Sequence, residues 1–513
     1  SSDVCSSDLS KLDFIVQGPY RTTPNRNSIP ADDEENIYAD RLKELETFSI
    51  DDLSDYQKIT YRAVEESLKN NSELFECEAD CYFLFTPNSG VNNNLITNFT
   101  EFEFRSEQDI VDFISLLNDT GRYFDECIAY TKEQAEDGNV QTDTVIDEII
   151  EQCERFISKT DDNEIIKIAG DRIDAMELGE TNKTTADGTV TVNKGEDYKK
   201  QISEAVLNGI IPAYRRVIEM YEGLKGKAAN DGRICDYDYG KEYYELLFRR
   251  KTGCYETVDE MIDLLDRELD SIIQQFYKLG SFNETASFGY SDPEKILKHL
   301  KSAMSKDFPA IPDVSFTVSY LDASVVSDSI VAYYLTAPYD NMDNNVIRVN
   351  PKVDDANDLC ITLAHEGYPG HLFQFTYFLA NHDNAEYMYN YDCLGYTEGW
   401  AQYVEGLSYS YYLTNKNEIA YYQLDDRFSY YFYGLMDMCV NYKGWGKQEV
   451  AKYMDEHYFN SSYAQYIIDV VTGDPGLYLP YSVGYYKMWS NYENAREKMG
   501  SKFSLKEYNK VIL

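Results

Sequence analysis

Two of the five histidines in this chain of 513 residues flank a short segment that also contains a glutamate. The segment runs from His365 and Glu366 to His371, with Pro369 and Gly370 between the two histidines. Two neutral imidazoles can hold a divalent metal such as zinc, and a carboxylate beside them can take a proton from water. These residue types therefore indicate hydrolytic metal chemistry.

The spacing of the two histidines differs from the four-residue spacing that places both ligands on one face of a helix. His365 and His371 are six residues apart, which turns them roughly 120° away from each other on a regular helix. Pro369 removes an intrahelical hydrogen bond, and Gly370 tolerates unusual backbone dihedrals. We therefore expect a helix break that turns His371 back toward the metal. The spacing alone leaves open that these are two unrelated helix histidines.

A third metal ligand is predicted in the later segment Gly395–Glu405, which is compatible with a helix. Glu398 would complete a set of two histidines and one carboxylate, which leaves one zinc position open for water. The alternative is that Glu398 and Glu405, two helical turns apart, belong to a solvated stripe. The aromatic residues Trp400 and Tyr403 argue against that alternative because they leave little of the helix facing solvent.

Three motifs together resemble the bacterial family known as domain of unknown function 885. They are HE-x-x-PGH at His365–His371, EGWA-x-Y-x-E at Glu398–Glu405 and Y-x-x-G at Tyr481–Gly484. The resemblance extends over most of the chain from Phe75 onward. Many family members carry another histidine directly after the first motif, and Leu372 occupies that position here.

The resemblance implies a mainly α, large, two-lobed and gluzincin-like metallopeptidase fold, with a small β-sheet next to the metal-binding helix. It also implies one zinc ion per chain, held by His365, His371 and Glu398, with Glu366 as the general base. Glu405 is predicted to support the metal ligands from outside the coordination sphere.

A further catalytic residue is predicted at Tyr481 in the third motif. A peptide carbonyl under attack becomes an oxyanion, and a phenol donates a hydrogen bond to it without carrying charge. Gly484, one turn later, would let the backbone approach the metal helix closely. Tyr485, on the same prospective face, and Tyr486 are rivals, and Tyr485 is also a candidate substrate-binding residue. The alternative is that these are core aromatics, since the chain has 47 tyrosines.

One strand is predicted just before the metal helix, at Asn345–Asn350, between Asp- and Asn-rich turns. We interpret it as a short edge strand of a small sheet. An extended peptide can add to such an edge through main-chain hydrogen bonds. Asn345 and Arg348 are therefore candidate substrate-binding residues.

The rest of the chain is predicted to be helical almost throughout. Ser106–Asp109 and Thr257–Glu260 have the pattern of helix-capping motifs, and Asp292–Pro293 provides an N-cap and a first-turn proline. Apolar residues at three- and four-residue steps predict a helix over residues 202–221. Pro212 predicts a kink within it.

A domain boundary is predicted at residues 181–193, which are polar, β-branched and glycine-containing, as in a loop or small hairpin. It separates an N-terminal helical region, 10–190, from a metallopeptidase-like catalytic region, 191–513. Residues 1–9 repeat Ser-Ser-Asp and resemble a translated sequencing adapter, so we exclude them and expect the native N-terminus to be missing. Residues 503–513 are interpreted as a truncated C-terminal helix.

Composition restricts the partners of the protein. A net charge of −43 opposes binding to nucleic acid, and no apolar run is long enough to span a membrane. The nine cysteines after Cys5 are dispersed and odd in number, so they indicate neither a disulfide framework nor a compartment. Proteins that this sequence resembles are often exported lipoproteins. We therefore expect a secreted or cell-surface protein, with any lipid anchor on the missing N-terminus.

These features together predict a zinc-dependent peptidase that hydrolyses short or unfolded peptides through a metal-activated water. Two alternatives stay open: a metal-containing peptide-binding protein without turnover, and another metal-dependent amide hydrolase such as a deacylase. Iron also accepts two histidines and a carboxylate, so the metal is not fixed by the sequence. His299, His382 and His457 are predicted to be surface residues.

Overall fold

The structure is a computed structural model that describes residues 36–160, 162–185, 188–321, 330–337, 342–381, 393–457 and 459–513. These residues form a mainly α protein with only small sheets, as predicted. Residues 1–9 and His382, which were interpreted from the sequence, lie outside the described residues.

The α-helices are α1 (Ile37–Leu45), α2 (Asp55–Cys81), α3 (Val91–Glu101), α4 (Glu107–Glu136), α5 (Asp143–Ile157), α6 (Glu164–Ala175), α7 (Lys194–Ala205), α8 (Ile211–Leu224), α9 (Gly240–Thr252), α10 (Val258–Lys278), α11 (Pro293–Ala303), α12 (Ala356–Glu366), α13 (His371–Asn381), α14 (Leu394–Tyr412), α15 (Lys416–Asn441), α16 (Lys447–Glu456), α17 (Ala464–Gly473), α18 (Leu479–Met499) and α19 (Leu505–Ile512).

The chain divides into two compact units. Among the described residues, the first contains residues 36–37, Phe75–Gly240 and Thr472–Asp474, and the second contains Tyr38–Leu74, Lys241–Val471 and Pro475–Leu513. The division therefore falls after Gly240 and not at residues 190 and 191, where it was predicted. The hairpin chosen as the boundary runs directly into α7, which packs against α4 and α6 of the same unit.

The first unit is a helical body whose apolar core is formed by α3 to α8. Its hairpin pairs β1 (Glu180–Thr185) with β2 (Gly188–Asn193) in antiparallel fashion. The kink predicted near Pro212 takes the form of a π-helical turn at Val206–Ile210, between α7 and α8. A π turn shifts the hydrogen-bond register and so changes the direction of the helix.

The helix starts predicted from capping signals are confirmed. Ser106 accepts a hydrogen bond from the Asp109 amide, and the Asp109 carboxylate accepts one in return from the Ser106 amide, so α4 begins directly after this capping box. Thr257 and Glu260 form the same arrangement before α10. Asp292 caps α11, which begins with a proline in its first turn.

The second unit contains a three-stranded sheet beside the helices that carry the histidines. The strands are β3 (Phe316–Tyr320), β4 (Ala332–Leu335) and β5 (Asn345–Val349), and their order in the sheet is β3-β5-β4. β5 is parallel to β3 and antiparallel to β4. The prediction that Asn345–Asn350 is an edge strand is therefore wrong, because β5 is hydrogen-bonded on both sides.

Candidate metal centre

The chain reverses between the two histidines of the first motif. α12 ends at Glu366, the Gly367 backbone leaves helical geometry, and α13 starts at His371. A Cβ on Gly370 would lie 1.6 Å from the carbonyl oxygen of His365. Only glycine fits there, because such a contact would force the backbone apart. The predicted helix break is confirmed. It brings the centres of the two histidine rings to 4.7 Å from each other.

His365, His371 and Glu398 form a compact group of ligand atoms. Glu398 Oε2 lies 3.4 Å from His365 Nε2 and 3.5 Å from His371 Nε2. Tetrahedral zinc with bonds of about 2.0–2.1 Å separates its ligand atoms by roughly 3.3–3.4 Å. Glu398 Oε2 is also buried with no hydrogen-bond partner among the described residues. The three side chains therefore fit a zinc ion.

The electrostatics of this group favour a cation. Burial alone would raise the pKa of Glu398, but the neighbouring His371 and His365 outweigh it and hold that pKa well below its usual range. Burial would lower the pKa of His365, yet the adjacent carboxylates of Glu398, Glu405 and Glu366 raise it well above its usual value. Negative charge is thus concentrated around the two imidazoles.

Glu405 lies behind His365. Its Oε2 is 3.1 Å from His365 Nδ1, the ring nitrogen that faces away from Glu398. A carboxylate in this position fixes the imidazole tautomer and its orientation toward a metal. Gln402 Nε2 is also 3.3 Å from the same nitrogen. Gln402 was not predicted from the sequence, although it lies one turn after Glu398 on the same helix face.

Glu366 lies beside the ligand group. Its Oε1 is 3.9 Å from His365 Nε2, and its Oε2 accepts a 2.9 Å hydrogen bond from the Tyr334 amide of β4. Burial, only partly offset by His365 and His371, raises the pKa of Glu366. Tyr334 was also missed, and the run of β-branched and aromatic residues at 330–335 was the signal that could have revealed this strand.

Two glycines position Tyr481 relative to Glu398. A Cβ on Gly399 of α14 would lie 2.6 Å from the Gly484 carbonyl carbon of α18, and a Cβ on Gly484 would lie 2.3 Å from the Gly395 oxygen. The two backbones are therefore in direct contact. The close approach predicted at Gly484 is to α14, which carries Glu398, and not to the helix of His365.

Tyr481 lies one turn before Gly484 and therefore close to the part of α14 that carries Glu398. Its pKa is raised by burial first and then by the charges of Glu398 and Glu366. The ring is partly exposed and stacks on Tyr430. Tyr485 behaves differently, because it is fully buried and its hydroxyl fills the space that a Cβ on Gly406 would occupy. The prediction that Tyr485 binds substrate is therefore not supported by its position.

Asn345 and Arg348 are engaged within the sheet. Asn345 is 1% exposed, accepts a hydrogen bond from the Tyr334 hydroxyl and donates one to the Ser315 carbonyl. Ile347 approaches Gly367 at the end of α12, so its neighbour Arg348 points to the opposite face of the sheet. The guanidinium of Arg348 donates a hydrogen bond to a serine of β3. Asn345 is therefore too buried to contact a substrate, while substrate binding by Arg348 stays a prediction.

The other described histidines are half-buried and hydrogen-bonded. His299 contacts the Tyr290 hydroxyl through Nδ1 and the Tyr411 carbonyl through Nε2, both at 3.0 Å. His457 Nδ1 lies 2.8 Å from the Tyr453 carbonyl. Both were predicted to be surface residues, but aromatic rings cover one side of each.

The fold and the site define a mainly α protein with two histidines and one glutamate close enough together that they could hold a metal ion. The chain belongs to the family described as "Bacterial protein of unknown function (DUF885)", which matches residues 18–513. No curated protein matches it significantly. No helix among the described residues is long and apolar enough to cross a membrane.

Two solved structures share this fold. A "putative lipoprotein" from Colwellia psychrerythraea is 17% identical, with a TM-score of 0.76, and the match covers 94% of this chain and 88% of that one. A "putative lipoprotein of unknown function" from Shewanella oneidensis is 15% identical, with a TM-score of 0.60, and the match covers 92% of this chain and 87% of that one. Both are similar to this protein in fold.

Proposed function

We propose that this protein is a zinc-dependent peptidase of the gluzincin type that hydrolyses short or unfolded peptides. The observation that carries the proposal is the Glu398 oxygen, buried without a hydrogen-bond partner among the described residues and 3.4–3.5 Å from one nitrogen of each histidine. A buried carboxylate oxygen without a partner is costly unless a cation satisfies it. His365, His371 and Glu398 would hold that ion.

The surrounding residues are suited to peptide hydrolysis. Zinc, when bound, would supply Lewis acidity toward a substrate carbonyl and a water molecule. Glu366 projects beside the ligands and is the group that takes the proton and returns it to the leaving amine. Tyr481 is the neutral donor that stabilises the oxyanion of the attacked carbonyl.

The edge of β4 that faces away from β5 supports a peptide as the substrate. The Asn350 amide donates to the Val331 carbonyl, so Val331, Tyr333 and Leu335 direct their backbone groups toward β5. The backbone groups of Ala332 and Tyr334 face the other way, and the Tyr334 amide reaches Glu366. An extended peptide pairing with this edge would pass beside the general base. β4 thus takes the role first predicted for β5.

We also propose that the protein is extracytoplasmic and that a lipid anchor precedes the described residues. The support is the description of two relatives of the same fold as lipoproteins, together with the resemblance in sequence. Expression of the gene with its native start, radioactive palmitate labelling and cell fractionation test this proposal. A soluble, unlabelled cytoplasmic product would contradict it.

A mixed peptide library tests the function. Zinc-loaded protein is expected to cut the library at sites that mass spectrometry can map, while chelator or Glu366→Gln should suppress every cut. Peptides recovered bound and intact would instead indicate a binding protein without turnover. Removal of acyl groups from acyl-lysine peptides, with the peptide bonds intact, would indicate a deacylase.

A further inference from the structure

A set of five tyrosine rings on α15, α17 and α18 consists of two stacked pairs and a fifth ring near the second pair. We name it the tyrosine stripe, and its members are Tyr481, Tyr430, Tyr478, Tyr433 and Tyr466. All five belong to the second unit. Tyr481 lies one turn before Gly484, whose backbone contacts that of Gly399 next to Glu398, so the tyrosine stripe is continuous with the proposed active site.

Four of the rings form two stacked pairs. Tyr430 stacks on Tyr481 with ring centres 6.3 Å apart and planes 19° apart, and Tyr433 stacks on Tyr478 at 4.8 Å and 21°. Tyr430 and Tyr433 are three residues apart on α15, and Tyr478 and Tyr481 have the same spacing at the start of α18. Residues at this spacing lie on one helix face, so the second pair is one turn further along.

The tyrosine stripe differs from the aromatic core in its exposure. Its four stacked rings are half-buried and Tyr466 is 58% exposed, whereas Tyr485 and Tyr431 next to them are at most 1% exposed. Burial raises the pKa of Tyr433, and the phenol of the nearby Tyr466 raises it further. The stripe therefore presents uncharged aromatic surface and hydroxyl groups on a protein with a net charge of −43.

We propose that the tyrosine stripe binds the part of a peptide that extends from the scissile bond, and that it selects peptides with aromatic side chains in that part. The inference rests on the proposed peptidase function. Aromatic side chains of a ligand can stack on, or meet edge to face, rings that are themselves held in place by stacking. Continuity with the site beside Glu366 makes the substrate chain the occupant of this surface.

Equilibrium binding tests this proposal independently of catalysis. Zinc-loaded full-length Glu366→Gln would be titrated in a calorimeter with a short peptide containing several phenylalanines and with its alanine counterpart. The phenylalanine peptide is expected to bind roughly fivefold to tenfold more tightly, as one or two aromatic contacts provide. Tyr466→Ala, Tyr433→Leu and Tyr478→Leu should each reduce that preference.

Matched variants keep the test interpretable. Tyr466→Ala removes a ring that is largely in solvent, and the two leucine variants retain apolar bulk, so all three should keep the parent's melting temperature. Tyr255→Ala removes an 86% exposed ring elsewhere in the second unit and should leave the preference unchanged. If one leucine variant does not fold, Tyr466→Ala still tests whether the tyrosine stripe provides the preference.

Other results would overturn the inference. The inference fails if the two peptides bind with equal affinity or if neither binds. It also fails if the preference survives all three substitutions. Binding of a chitin oligosaccharide in place of the peptides, lost in Tyr478→Leu, would assign the tyrosine stripe to a glycan. If the preference holds but the wild type cuts no peptide, the proposed peptidase function fails while the peptide-binding surface stands.

Discussion

Three glutamates converge on two histidines at the metal centre, and each glutamate contacts a different part of the group. Glu398 contacts Nε2 of both imidazoles, and Glu405 contacts Nδ1 of His365. Glu366 lies beside Nε2 of His365, at 3.9 Å. Once both imidazoles are neutral, as metal binding requires, these three carboxylates would repel one another in a buried site. A divalent cation at the centre would relieve that repulsion.

Purified protein is expected to bind one zinc ion per chain, and His365→Ala and Glu398→Ala should each bind far less. Each substitution removes one of only three protein ligands, and a site with two is weak. Elemental analysis after dialysis measures the stoichiometry. Glu294→Ala, at an exposed carboxylate, is the control. Full zinc content in both ligand variants would remove the assignment.

Glu405→Gln is expected to weaken zinc binding by about 10- to 100-fold while leaving one site per chain. The carboxylate that orients His365 would be replaced by an amide, which orients the imidazole less strongly and does not raise its basicity. Competition with a fluorescent zinc chelator measures the affinity. An unchanged dissociation constant would mean that the 3.1 Å contact does not act on the metal site.

Tyr481→Phe should lower kcat by roughly 100-fold or more and leave KM and zinc content nearly unchanged. The lost hydrogen bond forms mainly in the transition state, so substrate binding is little affected. Steady-state kinetics on a peptide taken from the library measures both constants. Tyr486→Phe, at a partly buried ring one turn later, is the matched control. Near-normal kcat would exclude the role of Tyr481.

At the scale of secondary-structure elements, α14 and α18 are the pair that brings the metal ligand and the tyrosine together. Gly484→Ala is expected to destabilise the protein by about 1–3 kcal/mol or more, because the added methyl meets the Gly395 carbonyl. Urea unfolding measures the change. Gly223→Ala is the control, since a Cβ there meets nothing within 4 Å. Equal stability of both variants would contradict the backbone contact.

The helices were predictable because their signals are local. The capping pairs Ser106 with Asp109 and Thr257 with Glu260 act within one turn, and the Pro369-Gly370 break between the histidines does so too. Strand order is a different kind of property. β5 became the central strand because β3, which precedes it by more than twenty residues, pairs with it in parallel, and no local pattern encodes that partner.

The difference between local signals and strand order also explains which residues of the candidate site could be predicted. The residue types and the motif resemblance predicted His365, His371, Glu398 and Glu405. The structure places all four side chains together. Tyr334 could not be assigned to the site, because its role depends on a backbone amide that any residue type would supply. Its place beside Glu366 follows from sheet register alone.

At the scale of the whole molecule, one buried acid links stability to pH. Asp437 is fully buried and accepts hydrogen bonds from the Tyr244 hydroxyl, the Asn441 amide and the Gly476 backbone. Burial, the largest influence, outweighs these donors and raises the pKa of Asp437 to about 7. An unfolded aspartate has a pKa of about 3.9.

The stability of the protein should therefore fall as pH rises from about 4 to about 7. In this window folded Asp437 holds a proton that the unfolded chain has lost, so each rise in pH favours unfolding. Asp437→Asn should flatten this dependence, measured by urea unfolding at several pH values. Asp231→Asn, whose carboxylate is 80% exposed, should keep the wild-type slope. An unchanged slope in Asp437→Asn would contradict the assignment.

The glycine contact between α14 and α18 also limits which amino acid changes could compensate for one another. A Cβ at Gly399 or Gly484 would clash with main-chain atoms of the facing helix. No second substitution can remove main-chain atoms. A Cβ at Gly434 would strike the side chain of Ser482 instead, and Ser482→Gly would remove that obstacle. A search for suppressor mutations should therefore rescue alanine at Gly434 and find no partner that rescues alanine at Gly399.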